Sequence, residues 1–536
     1  MECLYINVDN ENDFIDCLRR EDPRYTSLFQ YNPMDKESFK YKLNAPTNGR
    51  EGQLSNVIET YMSDLSLSDA QSRNIANLRS GHKVVIGGQQ AGFLTGPLYT
   101  FHKILSLVTL SETVADTYQE KVVPVFWIAG EDHDFDEVNH TFVYDNASND
   151  MSKVKYHTMD EPESSVSNYQ IDKEAFKSAV VQYFEKIEET SSSKRLYTRL
   201  VEIIEQYNYW TDIFKVLVHD VFKDYGVLLI DANDKGLRTL EKPMLKYMIE
   251  HHQDIDQAFR TTQSELTSKG FERMIQTETN VHLFLSEDNS RQLLHYKDGQ
   301  FYLSKSEKTF SKADLLDIVE NEPERFSNNV VTRPIMEEWL FNTLSFVGGP
   351  SEIKYWAELK GIFEFLDIEM PIVLPRLRIT YLNERISKLL TQYDVPLETV
   401  IREGVDQFKT SFVRDRASDT FIQEVEHMMT LQDKLTEQLS KEISTEDNHN
   451  LIRKNHQIHQ KQYDYLLRRY LLNIERENQI SMNHFKEISS HLHPMGGLQE
   501  RIWNPYQIMN DFGTNVFSPS TYPPLSYTFD QIIVKL

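Results

Sequence analysis

Residues 84–103, VVIGGQQAGFLTGPLYTFHK, decide the fold. Val84-Val85-Ile86 is a β-branched run of the kind that fills a buried strand. Gly87-Gly88-Gln89-Gln90-Ala91-Gly92 follows, a turn with little side-chain bulk and two amide heads. Thr95-Gly96-Pro97 then opens a helix-compatible run from Leu98 through Leu110, continuing to about Asp116, with Thr95 placed to cap it and Pro97 suited to its first turn. Strand, glycine-rich turn and helix start together make a place where backbone N–H groups and the helix dipole hold an anion or phosphate. An ordinary βα turn that needs glycine for tight packing would have the same spacing, so both readings stand.

Two more apolar runs extend the pattern. Residues 121–130, KVVPVFWIAG, suit a strand buried on both faces and lead into Glu131-Asp132-His133-Asp134-Phe135-Asp136-Glu137-Val138-Asn139-His140. Residues 225–230, YGVLLI, end on Asp231-Ala232-Asn233. Strands alternating with helical stretches, each ending in polar residues, indicate an α/β fold with a Rossmann-like, doubly wound parallel sheet. Helical spacing over Leu54–Arg79 adds packing elements ahead of it. Farther on, Asn328–Pro334 leads through a helix over Glu337–Phe346 to a second glycine-rich turn, Val347-Gly348-Gly349-Pro350-Ser351-Glu352, and Pro371–Arg376 reads as a last short strand.

The segments divide as 1–148 (first part of the core), 149–211 (an inserted helical connecting segment, Ser- and Glu-rich), 212–240 (a core strand and helix), 241–285 (a second connecting segment) and 286–381 (the last part of the core). Asn280–Leu285 and Gln300–Leu303 are strands of a second insert or of the sheet margin. Residues 382–492 change to long polar helices. Phe421, Val425, Met428, Leu435 and Leu439 follow a near-heptad seam, and Leu451, Ile458, Tyr465 and Leu472 recur every seven residues. This predicts an antiparallel α-helical coiled coil, whose apolar seam favours a homodimer. Residues 493–536 form a tail expected to pack on the core.

Composition narrows the function. The 536 residues carry 57 basic against 82 acidic side chains, a net charge of −25, which argues against a nucleic-acid binder. There is no apolar run of membrane-spanning length and no signal-peptide pattern at the start, so a cytoplasmic protein is expected. Cys3 and Cys17 are the only cysteines, too few for a disulfide framework or a cysteine zinc site.

The chemistry-bearing residues cluster after the strands. His102 follows Gly96 and Leu98 in the pattern G-x-L-x-x-x-H, where a histidine either faces the phosphates of a nucleotide or meets solvent and a neighbouring acid. The Glu131–His140 run is a metal site, a substrate-binding cluster or a solvated acidic loop; no metal is assigned, and His133 and Asp134 are the members singled out. Arg333 and Lys354 are candidates to hold a carboxylate or phosphate, and Glu352 to contact a polar ligand. The histidines of the helical hairpin read as solvated.

Four segments resemble the cysteine ligase family of bacillithiol biosynthesis: GGQQAGFLTGPLYTFHK, VPVFWIAGEDHDFDEVNH, NNVVTRP and GGPSEIKYWAEL, with HPMGGLQERIWNP similar too. The resemblance covers nearly the whole chain. It implies addition of L-cysteine to glucosaminyl-malate through an amide at the sugar amine, the last step to bacillithiol. It also implies a Rossmann core with inserted segments and a coiled coil used for dimerisation. The core of that family is similar to the nucleotidyltransferase fold of class I aminoacyl-tRNA synthetases and pantothenate synthetase. On that likeness Gly96, Leu98 and His102 fall on a nucleotide motif, with Tyr99 and Phe101 standing where the wider group has histidine and glycine.

The expected activity is therefore a ligase with ATP-dependent carboxyl activation. His102, His133 and Asp134 are the expected catalytic residues. Gln89, Gln90, Gly92, Thr95, Gly96, Arg333, Gly349, Glu352 and Tyr355 are expected to bind L-cysteine, glucosaminyl-malate and ATP or ADP. The rival expectation is a nucleotide-binding coiled-coil scaffold of the same pathway with no catalysis of its own. An RNA-charging synthetase is disfavoured by the acidic balance and the lack of an anticodon-type domain.

Overall fold

A computed structural model describes residues 1–10, 13–158, 164–306 and 308–536. Part of the Ser- and Glu-rich stretch of the first insert, residues 159–163, lies outside the described residues. The chain divides into two compact units, one of residues 1–147, 151–382 and 499–536, the other of 148–150 and 383–498.

The first unit is built on five parallel strands: β1 (Lys83–Gln89), β2 (Val122–Ile128), β3 (Leu228–Asp231), β4 (Thr343–Gly348) and β5 (Ile372–Pro375). Their order across the sheet is β5-β4-β1-β2-β3. Every neighbouring pair is parallel. This is a Rossmann-like sheet. β2 is buried along its whole length, which is why VVPVFWI carries no alternation. Between β1 and β4 the strand order reverses, and such a switch point opens a crevice at the C-terminal ends of the strands.

β4 corrects the expected helix over Glu337–Phe346. The helix, α2 (Arg333–Leu340), stops early, and Thr343–Gly348 pairs with both β1 and β5 in the middle of the sheet. The apolar residues Leu340, Phe341, Leu344 and Phe346 fit either period over so short a run, and the flanking strands decide between them. Behind the sheet runs the long helix α1 (Tyr99–Tyr118), buried continuously from Thr100 to Ser111 because Phe101, Ile104, Leu105, Leu107, Val108 and Leu110 are spread round its circumference.

The segment over 283–328 forms a separate antiparallel five-stranded sheet, in which Leu283–Glu287 pairs with Ser290–Lys297 and with Phe326–Asn328. The tail closes a third sheet: Gln531–Lys535 pairs antiparallel with Glu2–Ile6 and parallel with Arg378–Leu382. Neither pairing of this central strand was visible in the sequence.

The second unit is helical. Its two longest helices, Asp419–Lys441 and Glu446–Glu477, form the hairpin, closed by Phe421 against Tyr470 with ring centroids 4.1 Å apart and by Gln460 donating to Asp433 at 2.7 Å. Ile422 and Val425 are buried, but from Met428 onward the seam is open. Leu435, Leu439, Leu451, Ile458 and Tyr465 are 47–65% exposed. No helix of the described residues is long and apolar enough to cross a membrane.

Candidate functional site

The crevice at the switch point holds a pocket of about 210 Å³. β1 supplies Gly88 and Gln89, and the turn after it Gln90; β2 supplies Trp127, and the turn after it Ala129 and Asp132; α2 supplies Arg333, Pro334 and Glu337. Phe346 comes from β4, and Glu352, Tyr355 and Trp356 from the short helix α3 (Pro350–Trp356). The two glycines of β1 are there because neighbouring backbone comes too close for a side chain. A Cβ at Gly87 would sit 2.5 Å from the Val347 carbonyl oxygen of β4, and one at Gly88 2.5 Å from that of Trp127.

Lys103 reaches into this crevice from α1. It is 1% exposed, and its Nζ donates to the Gly88 carbonyl at 2.5 Å, the Gln89 Oε1 at 3.2 Å and the Glu352 Oε2 at 2.8 Å. Burial lowers the Lys103 pKa, against the opposing pull of the Glu352 carboxylate. The same Glu352 oxygen accepts from the Gly349 N–H at 2.5 Å, capping α3. One lysine thus fixes the β1 end, the first glutamine and the α3 start together.

Gln90 turns toward the acidic run. Its Nε2 donates to Glu137 at 2.9 Å and to Asp132 at 3.4 Å. Arg333 then ties the run to α2, donating through Nε to Glu131 at 2.7 Å and through a terminal nitrogen to Asp132 at 2.5 Å. Glu131 is fully buried and also accepts from Arg238 at 2.5 Å. Burial alone would raise its pKa; Arg333, Arg238 and Arg291 outweigh that and hold it down to about 2.

Glu337 is the opposite case. It is 4% exposed, its Oε1 has no hydrogen-bond partner, and burial together with the Glu338 carboxylate pushes its pKa up to about 8. Arg333 and Lys103 only partly offset this. The indole N–H groups of Trp127 and Trp356, which line the same pocket, are likewise buried without partners. Buried polar atoms are nearly always paired, so three unpaired ones on side chains that line one cavity point to a polar ligand there.

Of the residues expected from the sequence, Gln89, Gln90, Arg333, Glu352 and Tyr355 line the pocket, and Gly349 adjoins it through its N–H on Glu352. The glycine–glutamine bend and the acidic run do meet, through Gln90 and Asp132. His133 is half-buried beside them, with Nδ1 accepting from Arg291 at 3.1 Å; burial and the arginine lower its pKa. Asp134 is exposed, at the start of the turn Phe135–Val138, and neither residue is among the pocket's lining.

The other expected residues lie elsewhere. Gly92, Thr95 and Gly96 form a loop folded on itself, with positive φ at Leu94, Thr95 and Gly96. Trp210 donates to the Ala91 carbonyl at 2.6 Å, and Asn504 to the Leu94 and Gly96 carbonyls at 2.9 Å each. Thr95 does not cap α1: Leu98 holds that position without a side-chain bond, because Thr95 sits in left-handed backbone farther upstream. The Leu98 N–H donates to the Trp503 carbonyl at 2.8 Å, which removes one of the groups expected to face a phosphate. His102 is fully buried on α1 and bonds Glu500 at 3.0 Å; Arg376 holds the other Glu500 oxygen at 2.6 Å.

The pocket is smaller than the roughly 300–1,000 Å³ of drug-sized ligand sites, and the start of α1 is engaged by Trp503. Among the described residues, no group of three or more His, Cys, Asp or Glu side chains is placed to hold a metal ion. Lys103, Asp132 and Glu337 were missed as site residues. Lys103 ends the motif that opened the sequence reading, and Glu337 stands one helical turn after Arg333; both spacings pointed to this face.

Comparison with known proteins returns a consistent answer. Residues 1–377 match the family model described as bacillithiol biosynthesis BshC, N-terminal Rossmann-like domain, and residues 379–536 match its C-terminal coiled-coil domain. The proteins named "Putative cysteine ligase BshC" of Staphylococcus saprophyticus and Staphylococcus haemolyticus are 56% and 57% identical over 536 residues, covering 100% of both chains in each case. That of Staphylococcus aureus is 56% identical over the same span.

Proposed function

The chain belongs to the BshC family of bacillithiol biosynthesis, and from that premise we propose that it is a cysteine ligase. It joins the carboxyl group of L-cysteine to the amine of glucosaminyl-malate as an amide. The observation that carries this reading is the switch-point pocket. It is of amino-acid size, has paired charges at Lys103 and Glu352, and is lined by two glutamines and an unpaired buried carboxylate.

An amine attacks a free carboxylate too slowly to be useful, so the carboxyl must first be activated, and ATP is the proposed source. What the chain contributes is position. Lys103 and Glu352 fix the β1 end against α3, and a carboxyl group held there is presented in one orientation, which is a large part of what a ligase needs. Asp132 and Glu137, joined to the bend by Gln90, provide negative charge for an incoming amine. The hairpin's open seam supports self-association into a homodimer.

Purified chain incubated with L-cysteine, glucosaminyl-malate and ATP is expected to yield a new thiol-bearing amide by mass spectrometry, together with ADP or AMP. Tight binding of substrates with no amide in any nucleotide condition would instead favour a scaffold.

A further inference from the structure

The pocket is too small for both substrates of the proposed ligation, which raises the question of which one it takes. We propose that it is the subsite for a small amino acid, with the Glu337 carboxylate receiving the α-ammonium group and Trp127, Phe346 and Trp356 enclosing the side chain. The assignment rests on the ligase reading for the identity of that amino acid, L-cysteine, and on the pocket itself for the chemistry.

Three observations converge. The volume of about 210 Å³ suits one small zwitterion. The polar atoms left over are an acceptor, Glu337 Oε1, and two donors, the indole N–H groups of Trp127 and Trp356. An amino acid carries complements to both kinds. Phe346 and Trp356 pack with ring centroids 4.3 Å apart, tilted by 30°, giving an apolar wall on which a thiol makes favourable sulfur–aromatic contact. The charged groups around Glu337 are Glu338 and Arg333 on α2, Lys103 from α1 and Glu352 from α3. Lys103 is already committed to Glu352, and Arg333 to Glu131 and Asp132, so an arriving cation finds Glu337 without an ion partner. This supplies a means of choosing an amino acid by its ammonium group with no metal–thiolate bond.

Burial favours the neutral form of Glu337, with a pKa pushed up to about 8, so at pH 7 the group carries a proton until a cation arrives. Binding of the ammonium form then releases a proton to solvent: the Glu337 carboxylic acid gives up its hydrogen, and the ammonium group pairs with the carboxylate that remains.

The test compares L-cysteine with 3-mercaptopropionate, which lacks the amine, as ligands of the full chain by titration calorimetry. Wild type is expected to prefer cysteine by roughly 30-fold or more. It should also release protons at pH 7, seen as a dependence of the binding heat on buffer ionisation enthalpy. Glu337→Gln is expected to erase both the preference and the proton release. In turnover it should raise the KM for cysteine and leave that for glucosaminyl-malate within about twofold. If that variant does not fold, Glu337→Asp, which keeps the charge but withdraws it, should weaken cysteine binding while keeping proton release. A Gln variant that binds cysteine as wild type does, or keeps the preference, overturns the assignment, as does a wild type that binds no cysteine. Glu337-dependent cysteine binding without amide formation upholds the subsite and removes the ligase reading; amide formation unaffected at Glu337 does the reverse.

Discussion

The Lys103 ammonium lies 2.8 Å from the Glu352 carboxylate, joining a helix behind the sheet to the start of the helix that follows β4, across 249 positions of sequence. Lys103 is 1% exposed on its side chain and Glu352 30%, so the pair is desolvated at one end only. Removing the lysine strands a partly buried acid and frees Gln89. Lys103→Met is expected to cost about 3 kcal/mol of stability and to lower kcat/KM at least tenfold, read by urea denaturation and steady-state turnover. Adding Glu352→Gln to that variant should restore part of the stability and none of the turnover.

The β1 glycines make a purely steric prediction. A methyl group at Gly87 points at the Val347 carbonyl oxygen, 2.5 Å away, and backbone cannot move aside as a flexible side chain does. Gly87→Ala is expected to destabilise the sheet by roughly 1–3 kcal/mol or more and to reduce soluble yield. Gly49→Ala serves as the control for space, since nothing lies near its Cβ, although its positive φ brings a backbone cost of its own.

His102 separates the sequence expectation from the structure most directly. Its ring is enclosed, with Nδ1 on Glu500 and Nε2 without a partner, and its pKa is lowered by burial despite the carboxylate. Glu500 also holds Arg376 and accepts from the Ile379 N–H at 3.2 Å, so the histidine belongs to a junction between α1 and the tail. His102→Asn is expected to cost about 1–3 kcal/mol and to keep kcat/KM within threefold of wild type. A loss of turnover of a hundredfold at unchanged stability would return His102 to the catalytic role that its motif suggests.

What the sequence made legible, and what it hid, follows from the range of the forces involved. β1 and β2 declared themselves because buried parallel strands are continuous apolar runs, and the hairpin because its heptads are local. β4 was hidden because LFNTLSFVGG satisfies a helical period as well as an extended one, and its strand state is set by β1 and β5 on either side. Gln89, Gln90 and Glu352 could be found from turn composition. Lys103 and Glu337 had only their spacing to mark them, because a charged residue in a helix reads as solvent-facing until the topology wraps it. His133 and Asp134, singled out from the acidic run for their chemistry, stand outside the pocket's lining. The strand ends at Ile128, so Glu131 and Asp132 are the members drawn inward to Arg333.

Two carboxylates of this site respond to pH in opposite senses, and a comparison at three pH values tells them apart. Glu131 is held down to about 2, below its ordinary value near 4.3. Its stabilising contribution is therefore complete above about pH 4.3 and is lost as pH falls through 2. Glu337 is pushed up to about 8, so its contribution is complete below about pH 4.3 and is lost as pH rises through 8. Between pH 5 and 8 Glu131 is silent and Glu337 titrates. Glu338, pushed up to about 7, titrates in the same window and repels Glu337, so the difference between the two proteins reads the Glu337 titration together with its coupling to Glu338. The melting temperature of Glu337→Gln minus that of wild type is accordingly expected to rise from pH 5 to pH 8.5 by roughly 2 °C or more, with no change in the acid limb below pH 4. A difference that stays flat over the upper window would mean that Glu337 is ionised throughout, with its charge already compensated in the folded chain, and the pocket would then have no need of a cation from outside.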